Sequence, residues 1–115
     1  MNNTHTPPLE TLHMRPISVY PIYKILTGSY NSAVLFSQIM YGFNYFNKDE
    51  YFKTDNELKK ETLLTDNEFR KSKNDLKKNC RFLNITIREV PAKTFYIINW
   101  GMYDEVLKII AQRIN

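Results

Sequence analysis

The stretch TDNELKKETLLTDNEF, residues 54–69, carries the same four-residue phrase twice, at Thr54–Glu57 and at Thr65–Glu68. Each copy runs directly into a core-type residue, Leu58 and Phe69 respectively. Thr-x-x-Glu is a capping box. The threonine oxygen accepts from the amide three residues on, and the glutamate reaches back to the threonine amide, so orphan donors at a helix start are satisfied. Asp55 and Asp66 add negative charge at the positive end of each helix dipole. Two starts this close leave room for a helix of about two turns, a tight turn and a second helix, which is helix-turn-helix spacing. The first helix is expected from Asp55 to about Thr62, burying Leu58. Leu63 and Leu64 form the turn, with Leu64 tucked inward, and the second helix runs from Asp66 to about Cys80.

Downstream, Leu83–Glu89 and Thr94–Asn99 are rich in Ile, Thr, Phe and Tyr. Leu83, Ile85 and Ile87 alternate with Asn84, Thr86 and Arg88, the period of a paired strand. Val90 to Lys93 connects them, with Pro91 where it need not donate a ladder bond. A last helix, about Met102 to Ile114, presents Tyr103, Val106, Leu107, Ile110 and Ile114 along one side. Upstream, Tyr51–Lys53 reads as a short extended piece and Asn31–Phe46 as the central helix. That helix is apolar on most sides, with a narrow polar stripe of Ser32, Ser37, Gln38 and Asn44. Burial in the core is the first reading of so apolar a helix, and a dimer contact on part of it is the alternative. Pro16 and Pro21 frame an extended Ile17–Tyr20, followed by a helical run from Ile22 to Leu26 that Gly28 is placed to end in a left-handed conformation. Residues 1–11, with Pro7 and Pro8, read as a flexible tail. The fold expected is α+β and mainly helical. It is a winged helix-turn-helix with an N-terminal core helix, a two- to three-stranded wing sheet and a C-terminal helix. Residues 12–100 form the domain, and residues 101–115 pack on it or mediate dimerisation.

On a helical wheel the second helix separates into two faces. Phe69, Ser72, Leu76 and Cys80 make a core stripe. Asn67, Arg70, Lys71, Asn74 and Lys78 occupy the opposite face, with Asp66, Glu68 and Asp75 only at its margins. Asn and Arg can contact base edges in bidentate fashion, and Lys suits phosphates. A solvated face with bases drawn to the helix C-terminus by the dipole is the bland alternative. The position decides for DNA, because the second helix of a helix-turn-helix is the one that enters the major groove. Arg88 and Lys93 on the wing, and Lys59 and Lys60 on the first helix, are the accompanying phosphate-contact candidates.

The whole chain sets the outer bounds. Its 115 residues are one domain's worth, and 43% hydrophobic with 14% aromatic content suffices for a packed interior. A net charge of +4 is compatible with a polyanionic partner. Cys80 stands alone, so nothing asks for an oxidising compartment. Residues 1–10 lack a basic and an apolar signal region, and Ala33–Phe46 is too short and too interrupted to span a bilayer. A cytoplasmic protein without a membrane partner is expected. His5 and His13 have no partners at metal-ligand spacing, no Gly-rich phosphate loop exists, and the acids are not gathered into a pair. No enzyme, cofactor, metal or small-molecule substrate is therefore expected.

Three segments carry a resemblance: Tyr23–Phe43 (YKILTGSYNSAVLFSQIMYGF), Phe52–Thr65 (FKTDNELKKETLLT) and Val90–Trp100 (VPAKTFYIINW). They resemble the winged-helix domains of phage and prophage replication and regulatory proteins. There, a Leu-x-Ser-Gln-x-x-Tyr-rich helix precedes the helix-turn-helix and a Pro-x-Lys-Thr-x-Tyr strand closes the wing. The resemblance implies the winged fold and binding of double-stranded DNA at an origin or operator. Two glycines of the pattern are missing, one replaced by Leu63 and one near Cys80 and Arg81. Both positions commonly need a left-handed residue, so strain or a different backbone route is expected. A sequence-specific DNA-binding protein follows as the leading expectation, acting with a homodimer mate or a partner protein. The alternative is a protein-interaction module that binds a host or replication protein.

Overall fold

Local chemistry sets the element boundaries of the chain, which a computed structural model describes for residues 15–88 and 93–114. In order these are α1 (Ile22–Thr27), α2 (Tyr30–Phe46), β1 (Glu50–Phe52), α3 (Asp55–Thr62), α4 (Asp66–Asn79), β2 (Leu83–Arg88), β3 (Lys93–Ile98) and α5 (Trp100–Ile114). Gly28 ends α1 at φ 109°, its amide closing on the Lys24 carbonyl. A side chain there would be strained, which is the role its position suggested. The Ser29 hydroxyl caps α2 by accepting from the Ser32 amide, and Asn47 at φ 53° ends it.

The two Thr-Asp-Asn-Glu phrases start α3 and α4 where the sequence places them, but they are not equivalent. Thr65 and Glu68 form the full reciprocal box, with Thr65 N donating to Glu68 Oε1 at 2.9 Å and Glu68 N to Thr65 Oγ1 at 3.2 Å. At α3, Glu57 N donates to Thr54 Oγ1 in the same way, while the Glu57 carboxylate accepts from the Thr54 hydroxyl. Between the helices Leu63 sits at φ 58°, ψ 21°, its amide bonded to the Lys59 carbonyl. A left-handed leucine costs about 1–2 kcal/mol relative to glycine, so the expected strain is present here. Cys80 takes the other route. At φ −112° it is not left-handed; its amide bonds to Leu76, and its carbonyl accepts from Leu83 as the chain turns into β2.

The sheet is antiparallel with order β1-β3-β2, so the last strand is the central one. Tyr51 lies opposite Tyr96 on one side, and Ile85 lies opposite Tyr96 on the other. Alternation along β3 turns Thr94, Tyr96 and Ile98 inward against the helices. The Val90–Ala92 part of the connection, Pro91 included, and the 1–11 tail lie outside the described residues.

Helix α2 is the axis of the core. Its Leu35, Phe36, Ile39 and Phe43 meet Leu58 of α3, Leu76 of α4, and Phe82 and Tyr96 near and in the sheet, all buried. Full burial of an aliphatic side chain such as Leu58 or Leu76 contributes about 1.5–3 kcal/mol. The narrow polar stripe does not mark the surface side of the helix. Ser32, Ser37 and Gln38 are buried and only Asn44 of the four is exposed, whereas Tyr41, Tyr45 and Phe46 are exposed. Each of these three buried polar groups has found a partner. Ser32 donates to Asp75 of α4 at 2.8 Å and Ser37 to the Ala33 carbonyl at 2.7 Å. Gln38 donates to Glu61 of α3 at 2.6 Å and accepts from Arg15 at 3.1 Å. Satisfied in this way, polar groups cost little to bury. Arg15 also stacks its guanidinium 3.4 Å above the Tyr41 ring, giving that exposed ring a neighbour.

Gly42 is where α2 meets β1. A Cβ at this position would overlap Cζ, Oη and Cε2 at the edge of Tyr51, whose hydroxyl donates to the Ile39 carbonyl at 2.6 Å. Helix α5 docks on α1 through paired phenols, Tyr23 Oη and Tyr103 Oη being 2.6 Å apart. Burial, and after it the Tyr103 bond, holds the Tyr23 phenol above its ordinary range. Tyr103, Val106, Leu107 and Ile110 lie half-buried on the core as the wheel predicts, while Ile114 is exposed. Among the described residues no helix is long and apolar enough to cross a membrane.

Candidate nucleic-acid interface

Helix α4 turns one face in and one face out. Phe69, Ser72 and Leu76 are buried, and Cys80 at its end is fully so, which leaves the opposite side to solvent. Cys80 sits in apolar surroundings that push its thiol up to about 12, as suits a small buried hydrophobe rather than a nucleophile. The outward face carries Asn67, Arg70, Lys71, Asn74 and Lys78, all exposed. Arg70 leans on Asn67, its guanidinium donating to Oδ1 at 2.6 Å, so these two polar heads are presented as a unit.

The acids beside this face are engaged elsewhere. Glu68 closes the capping box, and hydrogen bonds from the Thr65 amide and hydroxyl hold its carboxyl below the ordinary range. Asp75 is turned inward to Ser32, and Asp66 pairs with Lys59 at 3.1 Å. Between these positions, from Asn67 to Lys78, the outward side chains carry no acid, and the exposed Asp66 marks the N-terminal margin of the face. Lys77, which sequence reasoning left out, is exposed and extends the same face by two turns from Arg70. Its seven-residue spacing from Arg70 was the available signal. Lys73 is excluded from this face, being turned toward α3 and paired with Asp55 at 2.9 Å.

The accompanying lysines and arginine divide. Lys60 is exposed and flanks the turn together with Lys59, Leu63 and Leu64. Lys59 is held, bonded to Asp66 with its ammonium 5.8 Å from the Phe69 ring centroid. On the sheet Arg88 stacks 4.6 Å over Phe95 and bonds Glu50 at 3.1 Å, while Lys93 lies 4.8 Å over Phe52. Arg88 and Lys93 thus face each other across the β2–β3 ladder on the outer side of the sheet, not on α4.

Hydrogen bonds along α4 add to its buried stripe and its ion pairs with α3 in placing the helix. Its start is fixed by the Thr65 box and its middle by Asp75 on Ser32. Its end is held by Asn79, whose Nδ2 donates to the Thr27 carbonyl at 2.8 Å. Two of these reach the α1–α2 corner around Gly28, so the helix is anchored to a part of the chain about 50 residues away. No family model matches the chain. Neither a curated protein nor a solved structure matches it either. What the surface offers is a helix with a basic, amide-bearing outer face about 17 Å long from Asn67 to Lys78 by the rise of an α-helix. Over that length such a face suits a polyanion, with Asp66 alone at its N-terminal margin. Among the described residues no group of His, Cys, Asp and Glu is placed to hold a metal ion.

Proposed function

We propose that α3, the turn at Leu63, α4 and the three-stranded sheet act as a winged helix that binds double-stranded DNA, with α4 in the major groove. The observation that carries this reading is the outer face of α4, where Asn67, Arg70, Lys71, Asn74, Lys77 and Lys78 are exposed together while Glu68 is engaged by its cap, Asp75 by Ser32 and the marginal Asp66 by Lys59. Arg70 and Asn67 are the side chains suited to base edges, and the lysines to phosphates. Lys60 fits the backbone beside the turn. Arg88 and Lys93 fit an adjacent phosphate or the minor groove once Arg88 exchanges Glu50 for a phosphate. The resemblance to phage replication and regulatory domains supports a role at an origin or operator.

The test is a titration of the parent and of Arg70→Ala/Lys71→Ala against a random-sequence duplex pool, and against duplexes selected from that pool, at several salt concentrations. The parent is expected to bind selected duplexes more tightly than the pool. The double variant is expected to lose that preference, and its salt slope falls by about one for each phosphate contact removed. A uniformly weak affinity that is the same in parent and variant refutes the reading and favours a protein-binding role for the same fold.

A further inference from the structure

Helix α5 is the one long helix of the described chain with no fully buried residue, although most of its positions are apolar. At 100° per residue, Tyr103, Leu107, Ile110 and Ile114 fall within about 60° of arc; the first three pack on the core, and Ile114, at the end of the helix, is exposed. A second stripe lies next to it. Met102, Val106, Ile109 and Arg113 also fall within about 60° of one another. In this stripe Met102 is 42% and Ile109 49% exposed, while Val106, at its edge toward the core, is half-buried and keeps part of its surface outward. The charges on α5 are ordered, with acids in the first half (Asp104, Glu105) and bases in the second (Lys108, Arg113). None of these four takes part in an ion pair among the described residues, although ion pairs form elsewhere in the fold.

From this arrangement we propose that α5 pairs antiparallel with α5 of a second copy of this chain. The twofold axis passes between Val106 and Ile109, so each Val106 meets the other copy's Ile109. Each Met102 then packs under the aliphatic stem of the other copy's Arg113. Met102 and Glu105 are about 4.5 Å apart along the axis, so that guanidinium reaches Glu105. A parallel pairing sets acid against acid and base against base, which the charge order disfavours. An isologous seam of this kind presents the two α4 helices with twofold symmetry, the arrangement that reads an inverted repeat. The pairing itself does not depend on the DNA reading, since it can be measured without DNA.

The experiment is sedimentation velocity of the full chain over a wide concentration range, with circular dichroism as a check on folding. The parent is expected to shift from one chain mass to two as concentration rises. Ile109→Asp is expected to weaken the dimer at least about tenfold while remaining folded, because Ile109 is half exposed in the single chain. Glu105→Arg and Arg113→Glu are each expected to weaken it, and the double exchange to restore it. A parent that stays at one chain mass throughout overturns the proposal. So does a double exchange no better than either single, because only the antiparallel register places these two residues together.

Discussion

Replacing Gly42 with alanine is expected to destabilise this protein, against the usual sign for a helical glycine. In an open helix position the change stabilises by about 0.5–1 kcal/mol. Here the new methyl falls on Cε2, Cζ and Oη of Tyr51, a ring buried between α2 and the sheet. Overpacking of a close-packed site costs about 1–3 kcal/mol. The ring cannot retreat without stretching its buried bond to the Ile39 carbonyl, which adds about 1 kcal/mol. The net expectation is a loss of about 2 kcal/mol, or about 10 °C in Tm for a domain of this size. Urea unfolding followed by far-UV circular dichroism measures it, with the m value held as the check that only stability has changed. The cycle with Tyr51→Phe then locates the cause. Removing the hydroxyl takes away one of the three nearest atoms, so Gly42→Ala should cost at least about 0.5 kcal/mol less in the Tyr51→Phe background. A stabilised Gly42→Ala, or strictly additive single changes, would refute the close approach of α2 and β1.

Leu63 offers a second reversal of sign. Because its backbone is left-handed, Leu63→Gly should be more stable than Leu63→Ala by about 0.5–1 kcal/mol, with side-chain burial common to both truncations; equal thermal midpoints would mean the turn is not strained. At the start of α4, hydrogen bonds from Thr65 lower the carboxyl of Glu68 relative to its ordinary 4.5. A depressed folded value stabilises above the unfolded value and is lost as pH falls through the folded one. Glu68→Gln should therefore flatten the acid limb of Tm against pH below about pH 4.5 and leave the neutral region with a uniformly lower Tm; an unchanged acid limb would remove Glu68 from the cap.

What sequence made legible is what local chemistry controls. Both helix starts at Thr54 and Thr65, the Gly28 stop and the Phe69–Ser72–Leu76 stripe need only a few neighbouring residues to be understood, and all are where the sequence places them. Partners distant in sequence decide the rest. Gln38 could be recognised as inward-facing only by knowing that Arg15 and Glu61 converge on it, and Ser32 only by knowing that Asp75 does. Lys59 looked as available as Lys60 because nothing local shows that Asp66 and Phe69 hold it. The outer face of α4 was legible because its neighbours are helical, and Lys77 was passed over on the same wheel.

The strand order carries one consequence for how the chain is made. Strands β1 and β2 share no backbone pairing; each ladders only with β3, and Phe52 waits for Phe95. A ribosome adding roughly 5–20 residues per second therefore exposes Tyr51 and Leu83 for some seconds with no strand to receive them. During that interval α2, α3 and α4 can already collapse around Leu58 and Leu76, since their contacts lie within one continuous stretch. The helical half is thus free to form while the nascent chain is still growing. The sheet cannot be completed until β3 is made, since both other strands ladder on it.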